Sequence, residues 1–154
     1  MLKQEYFTDS PRETIELGKR IGKRLKGGEI IAFLGGLGSG KTTITRGIVT
    51  GMGLSDMVTS PTFAIVNEYR EEGRLFVCHF DMYRLCSDEL EDIGFFDYLD
   101  GGGVIIIEWS ENITDLLSRL DNVIYIEIKR LSEDKRQFII EDRSGGGRLD
   151  NLGD

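Results

Sequence analysis

The sequence predicts a three-layer α/β fold around a central mixed, mainly parallel sheet, and three observations carry that prediction. The apolar run Glu29 to Leu34 leads into a glycine-rich loop and then a helical stretch. A second apolar run, Val104 to Ile107, follows Gly101-Gly102-Gly103 and ends in Glu108. Around these runs, helical segments alternate with strand formers, a pattern that stacks helices on the faces of a sheet.

In chain order, Lys3 to Thr8 reads as a short edge strand. Ser10-Pro11-Arg12-Glu13 opens a helix: Ser10 caps it, Pro11 suits its first turn and Glu13 completes a capping box. Ile15, Leu17, Gly18, Ile21, Gly22 and Leu25 keep one face apolar through Lys26, and Gly27-Gly28 stops the helix. Lys19, Arg20, Lys23, Arg24 and Lys26 lie in its later turns, where cations suit the dipole and read as a solvated face. Thr43 to Met52 predicts the second helix, weakened by Gly47. Thr62 to Arg70 and Arg74 to Phe80 predict a hairpin turning at Glu71-Glu72-Gly73. Ser87 to Asp100 is acidic and helical, and Ile113 to Leu120 predicts a short helix. Asn122 to Lys129 and Arg136 to Glu141 alternate as a terminal hairpin. The domain is expected to span 1–143. The tail 144–154, glycine-rich and charged, has little to bury and is expected to be disordered.

The loop itself, Gly35-Gly36-Leu37-Gly38-Ser39-Gly40-Lys41-Thr42, matches G-x-x-x-x-G-K-[ST] in full. Phosphate oxygens need several N–H donors converging on one point. Glycines let the backbone wrap a phosphate, and the following helix adds its first-turn amides and its positive dipole end. Lys41 is placed to neutralise the outer phosphates and the Thr42 hydroxyl to join the shell of a Mg2+ ion. Strand, loop and helix in that order predict a P-loop NTPase fold that binds a nucleoside triphosphate with Mg2+. Nucleotide is expected at the carboxyl ends of the parallel strands.

Bulk composition narrows the setting. With 154 residues, 40% hydrophobic and 30% charged, the chain suits one globular domain. No apolar run approaches a membrane span, and the N-terminus carries Lys3, Glu5 and Asp9 rather than a secretory signal. A cytoplasmic protein, monomeric when alone, is expected. A net charge of −8 excludes broad binding of a nucleic-acid backbone, so any nucleic acid would be held by another subunit. One histidine and two cysteines, Cys78 and Cys86, argue against a structural zinc site, and Cys78 reads as a small core residue.

A P-loop enzyme also needs an acid at the tip of a neighbouring strand. Glu108 closes Val104 to Ile107 and is the favoured metal-side acid; Asp81, closing Phe76 to Phe80, would then orient water or steady the metal's hydration. The reverse assignment stays open. Ser60-Pro61-Thr62 occupies a switch-like place after the P-loop helix, or is an ordinary turn. His79 shares a strand face with Asp81 and reads as a packed, hydrogen-bonded histidine. Trp109 is either core or the lip of the site.

Taken in order, Gly-x-Leu-Gly-x-Gly-Lys-Thr-Thr (35–43), Thr-Arg-Gly (45–47), Ser-Pro-Thr (60–62), His-Phe-Asp-Met-Tyr-Arg (79–84) and Glu-Trp (108–109) resemble the TsaE family of bacterial P-loop ATPases. The resemblance runs from about Thr8 to Ile140, and its His-x-Asp-x-Tyr-Arg and Glu-Trp blocks are more specific than the P-loop. Gly36 departs from the acidic or amide residue often found there. The resemblance implies work on tRNA: support of threonylcarbamoyladenosine synthesis at position 37, through binding to a TsaB–TsaD complex that activates ATP hydrolysis. It implies that Gly38, Ser39, Gly40, Lys41, Thr42 and Thr43 hold the phosphates and that Thr42 and Glu108 are Mg2+ ligands. It also implies that Asp81 to Arg84 form a switch responding to γ-phosphate and partner.

The expected chemistry is in-line attack of water on the γ-phosphorus. Lys41, Mg2+ and loop amides stabilise charge, and Glu108 or Asp81 places the water. Arg84 or a partner would supply any arginine finger, so the chain alone should be slow. The alternatives are a small-molecule P-loop kinase, which usually needs an arginine-rich lid not evident here, and a non-hydrolysing ATP-dependent adaptor. No Asn-Lys-x-Asp motif supports a GTPase. The terminal hairpin around Arg130 is a candidate purine contact.

Overall fold

In the computed structural model the described residues are 3–35, 40–55, 58, 66–82, 94–143, 149 and 152. Strand β1 (Lys3–Thr8) leads to helix α1 (Pro11–Gly22), strand β2 (Ile30–Leu34) and helix α2 (Lys41–Gly51). Strands β3 (Val66–Tyr69) and β4 (Val77–Asp81), helix α3 (Phe95–Leu99) and strand β5 (Val104–Glu108) follow. A 3-10 turn (Ser110–Ile113), helix α4 (Thr114–Leu117) and strands β6 (Val123–Arg130) and β7 (Arg136–Asp142) complete the order.

These strands form a 7-stranded sheet in the order β1-β7-β6-β2-β5-β4-β3. Its centre is parallel, because β2 pairs in parallel with both β5 and β6, and β4 with β5. Its margins are antiparallel: β7 and β1 on one side, β3 on the other. The sheet is therefore mixed and mainly parallel at its core, as the apolar runs predicted. Period-two alternation sends Ile31 and Phe33 of β2, Val104 and Ile106 of β5, and Val77 of β4 towards α1 and α2. Ile30, Ala32, Ile105, Ile107, Cys78 and Phe80 face the opposite layer with Phe95, Ile113 and Leu117. By the same alternation His79, Asp81 and Glu108 belong to the α2 face.

Helix α1 begins as its sequence dictates. Ser10 Oγ accepts the Glu13 amide at 3.2 Å, and Pro11 sits at the first position. Glu13 reaches back to the amide of Asp9, at 3.0 Å, one residue earlier than the usual capping box. The helix stops at Gly22 rather than running through Lys26. The amides of Arg24 and Leu25 turn to the carbonyls of Ile21 and Gly22, tightening the last turn, and the Glu29 carboxylate takes the amides of Lys26 and Gly27. Glu29 is thus a buried cap on that turn.

Gly47, which weakens α2 by propensity, has a tertiary reason. A β-carbon there would fall well inside contact distance of the Ile15 carbonyl oxygen, and one at Gly18 would meet the backbone of Ile44 and Gly47. The two helices meet backbone to backbone through Gly18, Gly22, Gly47 and Gly51. Gly47→Ala is expected to lower stability by about 1–3 kcal/mol through overpacking, despite a helix-propensity gain of about 1 kcal/mol. The midpoint of urea unfolding measures it; an unchanged or raised midpoint would refute this packing.

Other boundaries differ from the expectations. The β3–β4 connection runs from Arg70 to Phe76 rather than turning only at Glu71-Glu72-Gly73. Arg70 leaves the strand to lie 3.8 Å over the Phe76 ring, and Glu71 is captured by the Ser55 amide at 3.1 Å. The helix expected from Ile113 starts earlier, as the 3-10 turn Ser110–Ile113, and α4 ends at Leu117. Of the acidic helix expected from Ser87, α3 covers Phe95–Leu99; residues 83–93 lie outside the described residues. In the tail, Leu149 and Leu152 are buried against the α1–α2 cluster, and the Leu152 amide donates to Tyr6 Oη, so these two leucines do find something to bury.

Candidate functional site

The site gathers where β2, β4 and β5 end together. Gly35 leaves β2 with φ 144°, and Gly40 enters α2 with φ 111°, both values that side chains rarely adopt. Gly40 is the N-cap of α2, and Lys41, Thr42 and Thr43 form its first turn. Their amides precede the intrahelical ladder, which leaves N–H groups for an anion at that end. Gly38 and Ser39 lie outside the described residues, as do Ser60-Pro61-Thr62, Arg84 and Cys86.

Lys41 is 6% exposed. Its ammonium donates to the Gly35 carbonyl at 3.0 Å and stands 4.4 Å from the centre of the Trp109 ring. The cation therefore sits between the end of β2 and the residue following β5. Thr42 and Thr43 are half-buried beside it. Thr45 Oγ1 donates to the Lys41 carbonyl at 2.7 Å, anchoring the helix start.

Across the sheet, Asp81 and Glu108 are register partners at the tips of β4 and β5. Sequence order alone could not say that these acids are neighbours. Glu108 is 5% exposed, and its Oε2 lies 2.6 Å from Nε2 of the fully buried His79. Asp81 is half-buried. The structure thus brings Lys41, Asp81 and Glu108 to one end of the parallel strands.

The turn after β5 stitches this end together. Trp109 has φ 61°, the one left-handed non-glycine among the described residues, a conformation that costs roughly 1–2 kcal/mol. Hydrogen bonds on either side hold it. Ser110 Oγ donates to the Phe33 carbonyl at 2.7 Å, tying the turn to β2, and Asn112 Nδ2 donates to the Met82 carbonyl at 2.6 Å, tying it to β4. The Met82 amide donates to the Glu108 carbonyl at 3.0 Å. Trp109 is both packed against the outer core cluster and at the lip of the site, so the two readings of it are not exclusive. Ser110 and Asn112 escaped the sequence reading; the polar run after Glu108-Trp109 was their only signal.

Two expectations about the surroundings sharpen. Cys78 is a buried core thiol, pushed up to about 11 chiefly by burial, with Glu68 adding and Arg70 opposing. Arg130 is exposed and bonded to the Ser132 carbonyl; the hairpin arginine beside the loop is instead Arg136. Arg136 donates to the carbonyls of Ser132, Glu133 and Lys135, and with Pro11, Thr14, Gly40 and Thr43 it lines a narrow cleft.

Comparison with known proteins matches this architecture. The family model described as "Threonylcarbamoyl adenosine biosynthesis protein TsaE" matches residues 8–138. The chain is 38% identical over 138 residues to the tRNA threonylcarbamoyladenosine biosynthesis protein TsaE of Bacillus subtilis, covering 90% of this chain and 85% of that one. It is 34% identical over 144 residues to the protein of the same name from Aquifex aeolicus, covering 90% of this chain and 96% of that one. The crystal structure of Bacillus subtilis YdiB superposes with a TM-score of 0.73 at 29% identity, covering 99% of this chain and 92% of the other. Since the match takes in everything from the last residue of β1 into β7, the chain belongs to the TsaE family.

Proposed function

We propose that the chain is an ATPase of tRNA threonylcarbamoyladenosine synthesis that binds a TsaB–TsaD complex and hydrolyses ATP to support its turnover. The observation that carries the ATPase reading is the meeting of three groups at one sheet end. Lys41 reaches the Gly35 carbonyl after β2 and the Trp109 ring after β5, and Asp81 and Glu108 lie in register at the tips of β4 and β5. Family membership supports the pathway.

The donor set fits magnesium. The Thr42 hydroxyl and the Glu108 carboxylate are hard oxygen donors, and Glu108 is a buried carboxylate whose Oε2 has no hydrogen-bond partner among the described residues and lies close only to the His79 ring nitrogen. Among the described residues no three His, Cys, Asp or Glu side chains cluster to hold a metal by themselves. That suits an ion arriving with the nucleotide, because Mg2+ takes few protein ligands and completes its shell with phosphate and water. When bound, the ion neutralises charge on the terminal phosphates.

The chain's own residues would do the rest. The loop amides from Gly38 to Thr43 hold the phosphates, and Lys41 exchanges the Gly35 carbonyl for a phosphate oxygen. Asp81 or Glu108 orients the attacking water. The nucleoside end would face the β6–β7 hairpin, on the side of Arg136. With a net charge of −8, contact with tRNA falls to the partner proteins. No described helix is long and apolar enough to cross a membrane. Work on tRNA within this pathway would set the protein in the cytoplasm, as a monomer when alone.

The test measures phosphate release from ATP by the chain alone and with TsaB and TsaD. The expected result is slow turnover alone and stimulation of tenfold or more, on the order of what one positioned transition-state group supplies. Equal rates with and without the pair would refute the partner reading.

A further inference from the structure

A line of polar groups runs into the interior behind the phosphate site. Tyr69 on β3, His79 on β4 and Glu108 on β5 lie on three successive strands of the sheet. His79 is 0% exposed. Its Nε2 lies 2.6 Å from Glu108 Oε2, and the Tyr69 hydroxyl lies 3.3 Å from its Nδ1. The Tyr69 and His79 rings are 6.1 Å apart at 45°. Among the described residues neither His79 Nε2 nor Glu108 Oε2 has a hydrogen-bond partner, so each has only the other's close approach to answer its burial. The register neighbour of His79 on β5 is Ile106, and Val77 precedes it on the same face, so an aliphatic side chain would suit the packing. An imidazole buried there is costly unless both nitrogens are used.

An ionised carboxylate only accepts, so the close approach is attractive when Nε2 carries the hydrogen. In the neutral tautomer that does so, Nδ1 is an acceptor, and the Tyr69 hydroxyl at 3.3 Å is placed to donate to it. Held at Oε2, the Glu108 carboxylate loses its freedom to rotate about the strand tip, and Oε1 is left as its working oxygen. We infer that His79 is a positioning residue for Glu108, orienting its free carboxylate oxygen towards the metal bound with the nucleotide, and that Tyr69 locks the tautomer His79 needs. This rests on the proposed role of Glu108 as metal-side acid. Outer partners that orient metal-binding groups typically matter 10–100-fold in metal affinity.

The experiment uses the full chain, a non-hydrolysable ATP analogue and Mn2+ as the metal probe, with bound Mn2+ read by its paramagnetic resonance. His79→Leu is expected to weaken Mn2+ binding in the ternary complex about tenfold, while metal-free analogue binding stays as in the wild type. His79→Gln, whose amide N–H can reach the same oxygen, is expected to recover affinity to within about threefold. Tyr69→Phe is expected to weaken Mn2+ binding about threefold, since the hydroxyl acts only through the ring. A merely structural histidine would shift the thermal midpoint in these variants and leave Mn2+ affinity untouched, and that result overturns the inference. Should His79→Leu fail to fold, Tyr69→Phe decides: wild-type Mn2+ affinity in that variant overturns it. If the wild-type chain itself shows no metal-dependent analogue binding, the proposed function falls together with this inference. If the wild type shows it and His79→Leu equals the wild type, this inference falls alone.

Discussion

Lys41→Met abolishes measurable MgATP binding at concentrations that saturate the wild type, a loss on the order of 100-fold. The size follows from a buried charge-assisted hydrogen bond to phosphate, about 1.5–3 kcal/mol, plus removal of the cation that stands between Gly35 and Trp109. Methionine is chosen over alanine because Lys41 is 6% exposed, so its aliphatic stem is buried. Keeping the stem separates loss of binding from loss of packing, and the unfolding midpoint of the free protein should stay near the wild-type value. Calorimetric titration of MgATP into both chains reads the effect. Trp109, the only tryptophan, offers a second readout. Its emission should change as the ammonium leaves its ring for phosphate, and no such change should occur in Lys41→Met. Wild-type affinity in the variant would remove Lys41 from the site.

Glu108→Gln lowers partner-stimulated ATP turnover by about 10²–10³-fold, the range seen when a positioned transition-state group is removed. Analogue binding without metal should stay within a few-fold. Glutamine preserves shape and can still meet His79, so the packing behind the strand tip is kept. The comparison with Asp81→Asn resolves the ambiguity between the two acids. If Glu108 is the metal-side acid and Asp81 orients water, Glu108→Gln weakens Mn2+ binding, whereas Asp81→Asn spares it and still slows turnover. The reverse pattern would exchange the two roles. A Glu108→Gln chain that turns over ATP normally would exclude it from the chemistry altogether. One that binds ATP, does not hydrolyse it and fully supports tRNA modification would favour the adaptor reading.

What could be read from the residues was local. Glycines at 35, 38 and 40 beside Lys41 and Thr42 are adjacent in sequence, so motif and structure coincide over Gly35, Gly40 and the first turn of α2. The run Val104 to Glu108 is legible for the same reason: a buried parallel strand is apolar throughout, and the single acid at its end stands out. What was hidden depends on register. His79 and Glu108 are far apart in sequence, and only the parallel pairing of β4 with β5 sets them side by side. A single-residue slip would send one of them to the other face.

Glycine misled by propensity. Gly47 weakens an isolated helix, yet in the folded chain it is the surface on which α1 rests, which only tertiary contact discloses. Helix ends misled for a similar reason. Apolar periodicity carried α1 to Lys26, but the Glu29 carboxylate, reaching back to the amides of Lys26 and Gly27, caps a turn there instead. Trp109 carried a compositional signal as the one tryptophan, but its left-handed backbone is fixed by Ser110 and Asn112 holding the ends of β2 and β4.

The central claim is that the loop before α2 grips a magnesium-bound triphosphate while Asp81 and Glu108 face its terminal group. A crystal structure with a non-hydrolysable ATP analogue and Mg2+ tests it most directly. Phosphates are expected against the amides of Gly38 to Thr43, with Lys41 moved from Gly35 onto them and the ion between Thr42 and Glu108. Phosphates bound elsewhere, with Lys41 still on the Gly35 carbonyl and Glu108 remote from the metal, would contradict it.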